Sequence, residues 1–144
     1  MTNTWKDLKP GSSTLDNVIA KLGRPDRQAA GASYGNVKGF ELLMYDDLAA
    51  SVFMRGGRVA VIVVVPRGDD FPANLYDWEV ALGRPSAKLP SIKGKNARVY
   101  VYSEAGLTAT SANGRSVILV EVFPPMKESE YERTLYKAPP KFIK

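Results

Sequence analysis

Leu15–Pro25, LDNVIAKLGRP, comes back over Leu75–Pro85 as LYDWEVALGRP, sixty positions later. Leu-Gly-Arg-Pro is identical in the two stretches and Leu15 falls on Leu75. A second block follows each: Tyr45, Gly57-Arg58 and Val65 match Tyr102, Gly114-Arg115 and Val122 at an offset of fifty-seven. The spacing predicts a tandem duplication, with a first repeat over 1–66, a second over 67–125 and a tail over 126–144, together one structural domain. A unit of about sixty residues buries little apolar surface by itself, and two side by side build one longer sheet.

Each copy opens with a helix. Ser13-Thr14-Leu15-Asp16 has the form of a capping box, and Leu15, Val18, Ile19 and Leu22 make one apolar stripe that ends at Gly23 and Pro25. In the second copy Asp70 is the expected cap, Pro72 falls in the first turn, and Leu75, Trp78 and Leu82 repeat the stripe. Trp78 reads as core, and Trp5 as a lid on the first helix. Asp26 to Ala30 and Ser86 to Leu89 each read as one further helical turn. Period-two strands follow at Phe40 to Tyr45, Ser51 to Met54 and Val59 to Val65, and again at Ala97 to Tyr102, Leu107 to Ser111 and Ser116 to Phe123, with a further strand around Ser33 to Val37. Short links between strands imply antiparallel meanders. The predicted fold is α+β: helices on one face of a continuous antiparallel sheet.

Alternation assigns the faces. In Ala97-Arg98-Val99-Tyr100-Val101-Tyr102 the aliphatic positions are expected against the helices, with Leu42 and Met44 beside them. Arg98, Tyr100 and Tyr102 then share the opposite face with Glu41, Leu43 and Tyr45, joined by Ile62, Val64, Leu119, Glu121 and Phe123, on the ground that Glu121 should not be buried. Such a face is too apolar to stand in water, so the tail, a second subunit or a partner covers it. The tail itself reads as a short helix over Met126 to Lys137, then a stretch with Pro139-Pro140 that cannot be helical.

The order of cap, helix, Leu-Gly-x-Pro, tyrosine-bearing strand and Gly-Arg-Val-x-Val-Ile-Val resembles the repeat unit of the beta-lactamase inhibitor protein and of BamE-like (SmpA/OmlA) domains. The resemblance covers residues 5 to 66 and 71 to 124. It implies a tandem fold whose sheet face grips another protein without catalysis, and by position that face holds Tyr45, Arg98, Tyr100 and Tyr102. It also implies a periplasmic or extracellular setting if a signal has been removed. The N-terminus as it stands lacks the order of a signal peptide, and without such removal the protein is expected in the cytoplasm.

Composition narrows the chemistry. The chain has neither histidine nor cysteine, so His-based acid/base pairs, Ser-His-Asp and Cys-His arrangements, thiolates and His-ligated zinc cannot be built. Asp46-Asp47 and Asp69-Asp70 sit where turns are expected, and Gly56-Gly57 lacks the lysine and spacing of a phosphate loop. No catalytic residue, cofactor or metal is expected. No apolar run reaches the length of a membrane span. Twenty Lys/Arg against fifteen Asp/Glu leave a net +5. Arg84, Lys88, Lys93, Lys95 and Arg98 follow one another with no acid between them.

Three function classes emerge. The first is a non-catalytic protein-binding module, an inhibitor or assembly factor. The second is a nucleic-acid or anion binder using Arg84 to Arg98 with the neighbouring tyrosines. The third is a homo-oligomer that covers its own sheet face.

Overall fold

The computed structural model describes residues 1–140; the end of the tail, 141–144, lies outside the described residues. Chain order is α1 (Leu15–Leu22), β1 (Arg27–Tyr34), β2 (Val37–Tyr45), β3 (Ala50–Arg55), β4 (Arg58–Val64), α2 (Leu75–Leu82), β5 (Ala87–Pro90), β6 (Arg98–Tyr102), a 3-10 turn at Ser103–Ala105, β7 (Leu107–Ser111), β8 (Leu119–Val122) and α3 (Glu128–Thr134). The eight strands form one antiparallel sheet in the order β1-β2-β3-β4-β8-β7-β6-β5. Two four-stranded meanders meet through their last strands, where Ile62, Val63 and Val64 face Val122, Glu121 and Val120. β1 and β5 are therefore the two edges.

The segments after Pro25 and Pro85 are strands, not the helical turns expected at Asp26 to Ala30 and Ser86 to Leu89. The amide of Asp26 donates to Met44 (2.9 Å) and that of Ser86 to Val101 (2.7 Å), so the adjacent strand supplies partners from the first residue onward. The strand expected around Ser33 to Val37 is a hairpin: Tyr34 closes β1 and Val37 opens β2.

Thr14, one residue beyond the expected Ser13, caps α1 in a capping box with Asn17, and Asn74 rather than Asp70 caps α2. Asp70 instead accepts from the amides of Arg67 (2.9 Å) and Phe71 (2.6 Å) and from the Trp5 indole (3.1 Å). Burial alone would raise its pKa, but these donors outweigh it and hold the carboxyl below its ordinary range. Trp5 is buried in the same core cluster as Val18 of α1, and its indole bond ties it to the second half as well. Both α1 and α2 end at a glycine with φ +79°, Gly23 and Gly83, a backbone region that suits a residue without Cβ.

α1 is turned so that Val18 and Leu22 meet the sheet, which leaves Leu15 and Ile19 of the expected stripe 39% and 37% exposed. In α2, Leu75, Trp78 and Leu82 all pack inward.

The faces are the reverse of the sequence assignment. Tyr45, Tyr100 and Tyr102 lie against α1 and α2, together with Leu43, Val52, Ile62, Val64, Val120 and Val122. Val99, Val101, Phe40 and Leu42 line the other face, where α3 covers them through Tyr131 and Leu135. Both sides of β6 are apolar enough to be buried, so alternation alone does not orient it. The hydroxyls do. Tyr45 donates to the carbonyl of Gly23 (2.9 Å) and Tyr102 to that of Gly83 (3.1 Å), carbonyls that the helix ends leave without intrahelical partners. Helices therefore occupy both faces: α1 and α2 on one, the tail helix α3 on the other.

One further parity error lies in β8. Val59 donates to Ser13 and Val117 to Ala73, both at 2.8 Å, which matches Val59 with Val117 at an offset of fifty-eight. The Gly114-Arg115 turn holds one residue more than the Gly56-Gly57 hairpin, its amides satisfied by the side chains of Ser111 and Asn113. A one-residue slip moves every side chain of a strand to the other face. Ile62 and Val64 stay with the tyrosines as expected, but Glu121 and Phe123 go to the α3 side, where Phe123 packs on Tyr131.

Tyr45→Phe and Tyr102→Phe should each lower stability by about 1 kcal/mol through the lost hydrogen bond, additively because they lie in different halves. Tyr102→Ala should cost about 3–5 kcal/mol. Urea unfolding checks this, and a neutral Tyr102→Phe would remove the hydroxyl from the account of how β6 is oriented.

Candidate functional site

Glu121 interrupts the apolar run of β8 and is 94% buried, the face above it covered by α3. A carboxylate taken out of water needs donors for its oxygens. Thr108 of β7 donates to Oε1 (2.7 Å), Tyr131 of α3 donates to the same oxygen (2.6 Å), and Tyr34 of β1 donates to Oε2. Three separate elements therefore converge on one side chain. Among the described residues the ion pairs are Lys21–Asp7 and Arg27–Asp46, so Glu121 has hydroxyl partners and no salt-bridged cation.

The tail helix is held by more than this carboxylate. Asn36 sits in the turn between β1 and β2 and donates from its side chain to the carbonyls of Arg133 (3.2 Å) and Tyr136 (3.4 Å), while its amide donates to Thr134 (2.8 Å). Gly35 lies so close beneath that a Cβ there would collide with the carbonyls of Thr134 and Leu135. Tyr136 turns back and donates to Pro90 at the end of β5 (2.6 Å).

Between the tail and the sheet remains a cavity of about 330 Å³, within the usual range of small-molecule sites, about 300–1,000 Å³. Val63, Val99, Leu119 and Leu135 provide apolar walls. Buried Glu121 and Tyr131 with half-buried Tyr34 supply the polar end, and exposed Lys93 and Lys137 border the opening. Burial pushes the Tyr34 hydroxyl well above its ordinary pKa of 10.0, and the charge and hydrogen bond of Glu121 push it further. Tyr131 is raised by the same causes in the same order, with Thr108 acting weakly against them. Both tyrosines stay protonated donors at any ordinary pH.

The residues expected from the sequence lie elsewhere. Tyr45, Tyr100 and Tyr102 are 4%, 9% and 5% exposed in the core under α1 and α2, so the structure does not present them together on an open face. Arg98 is exposed at the start of β6 and bonds back to the carbonyl of Ala97. Of the basic stretch, Arg84 and Lys88 share a shallow cleft with Glu79, Lys88 lies over the Tyr100 ring (5.4 Å), and Lys93 borders the cavity instead. Lys95 is exposed between β5 and β6. Sequence reasoning missed Tyr34, Tyr131 and Tyr136, and it used Glu121 as a marker of solvent. The available signal was a lone acid inside Val117-Ile118-Leu119-Val120-Glu121-Val122, which a buried strand tolerates only with partners.

No protein-family model and no curated protein matches the sequence. Two solved structures resemble the fold. One is an extracellular protein containing an SCP domain from Bacillus anthracis str. Ames, at 17% identity and a TM-score of 0.55 over 88% of this chain. The chain spans 46% of that protein's length. The other is a DUF4309-family protein, YjgB, from Bacillus subtilis subsp. subtilis str. 168, at 15% identity and a TM-score of 0.50, with 81% of this chain and 82% of that one covered. At such identities the likeness is one of fold. Among the described residues no helix is long and apolar enough to cross a membrane.

A folded-state pKa above the unfolded value contributes stability that is complete below pH 10 and is lost as pH rises through the folded pKa. Stability should therefore fall above about pH 10, by about 1.4 kcal/mol per pH unit for each buried tyrosine. In the Tyr34→Phe/Tyr131→Phe double variant that slope should be shallower by two tyrosines. Urea midpoints across the alkaline range measure it; equal slopes would mean the two hydroxyls are not held as described.

Proposed function

We propose that this chain is a non-catalytic binding module that receives its ligand in the cavity between the sheet and α3. The observation that carries the reading is a pre-formed, apolar-walled cavity with a fully partnered carboxylate at its buried end and cations at its opening. Its chemistry favours binding over turnover. The sequence has no histidine or cysteine, the Glu121 oxygens are engaged by three hydroxyls, and the two tyrosines touching them are held protonated. The resemblance to the beta-lactamase inhibitor protein and BamE-like domains implies a site on an open sheet face holding Tyr45, Arg98, Tyr100 and Tyr102; we take instead the face opposite α1 and α2, with the residues of the tail side. We read the two meanders as copies of one duplicated unit, supported by the matched bonds of Tyr45 with Gly23 and Tyr102 with Gly83.

A second reading keeps a protein partner and is favoured by β1. This edge strand is eight residues long, largely exposed and lined with Ala29, Ala30, Gly31 and Ala32, small side chains that let another backbone approach. An extended segment of a partner would add as a ninth strand. At the other edge β5 has four residues and ends in Pro90.

Saturation-transfer NMR with a small-molecule fragment library should find ligands for the wild type. Leu119→Phe, filling the cavity from the sheet, should abolish their signal while stability changes by less than about 1.5 kcal/mol. Ligands that bind this variant equally well would place binding elsewhere. For the second reading, Ala30→Pro lies where the β1–β2 register is broken; it should lose a protein captured by the wild type, and undiminished capture would dismiss strand addition.

A further inference from the structure

Resting on the reading of the cavity as a binding site, the geometry points to its ligand: a small zwitterion with a quaternary ammonium at one end and an anionic group at the other, of the phosphocholine or betaine type. Depth orders the cavity by charge. Glu121 lies at the buried end, and Lys93 and Lys137 are exposed at the opening. A ligand that enters cation first places each of its charges beside an opposite one.

The chemistry of the buried end selects the kind of cation. Glu121 already accepts from Thr108, Tyr131 and Tyr34. A primary ammonium brings three N–H donors into a place where the carboxylate's acceptor positions are largely taken. A quaternary ammonium brings none and asks only for negative potential and polarisable surface. Both are present. Among the described residues the carboxylate has no ion-pair partner, and the rings of Tyr34, Tyr131 and Tyr136 line the same cavity. Tyr131 and Tyr136 have centroids 6.3 Å apart, and Phe123 stacks on Tyr131, so the half-buried Tyr136 ring is the more open of the two to a cation within about 6 Å of its centroid. The Tyr136 hydroxyl bond to Pro90 and the Tyr131 bond to Glu121 fix the rings before anything binds. Lys93, which follows β5, can then pair with the anionic end.

Calorimetric titration of the full chain tests this with phosphocholine, with 3,3-dimethylbutyl phosphate, in which carbon replaces the charged nitrogen, and with choline. Phosphocholine should bind about tenfold or more tightly than its carbon isostere. Lys93→Ala, a change at an exposed residue, should weaken phosphocholine several-fold and leave choline no weaker. Glu121→Gln should also weaken phosphocholine; Lys93→Ala keeps the test decisive if that variant does not fold. Flotation with phosphatidylcholine vesicles tells the source: recruitment assigns a lipid headgroup, and binding of free phosphocholine alone assigns a soluble compound, either result supporting the ligand class. An isostere that binds as well as phosphocholine, or Lys93→Ala without effect on phosphocholine, overturns the inference. If phosphocholine fails while uncharged fragments occupy the cavity, the inference falls and the binding-site reading stands; if nothing occupies the cavity, both fall.

Discussion

One carboxylate organises the tail side of this molecule. Glu121 stands on β8, one of the two middle strands of the whole sheet, and leaving it buried without partners would cost several kcal/mol. Its three donors come from the first strand of the first half, the neighbouring strand of its own half and the helix after the sheet. Those elements cannot shift independently without orphaning the acid. Hydrogen bonds from three separate elements thus fix the buried end of the cavity beside it.

Much of the architecture was readable because local chemistry and periodicity agreed. Gly23 and Gly83 end helices, the runs around Tyr45 and Tyr102 alternate, and short links force antiparallel pairing. The orientation of the sheet was not readable. β6 carries valines on one side and tyrosines on the other, and both sides are buried, so the deciding fact is a long-range one: where an unpaired helix-end carbonyl awaits a hydroxyl. Glu121 misled for a related reason. An acid in a strand signals solvent only if nothing else can solvate it, and its hydroxyl donors lie thirteen, ten and eighty-seven residues away. The single extra residue in the second hairpin then carried the error through β8.

Where the two halves agree, they build the scaffold; where they differ, the site appears. β1 runs for eight residues and β5 for four, stopping at Pro90. The shortened edge leaves Ser91, Ile92 and Lys93 free to border the cavity instead of continuing the ladder. The second half alone is followed by a helix, which has no counterpart between β4 and α2. Likeness supplies the stable frame, and departure from it supplies a concavity that a symmetric sheet would lack.

The docking of α3 also orders events in time. The contacts that roof the cavity join the β1–β2 hairpin to residues about a hundred positions later, Asn36 to Arg133 and Tyr136 among them. Chain closure over such a span comes late compared with hairpins and helix caps, which close locally. During synthesis the sheet can assemble strand by strand as it emerges, but its α3 face stays uncovered until α3 itself has emerged. The roof of the cavity therefore closes after the sheet beneath it, and a chain stopped short of Tyr131 would hold nearly all of the sheet and none of the roof.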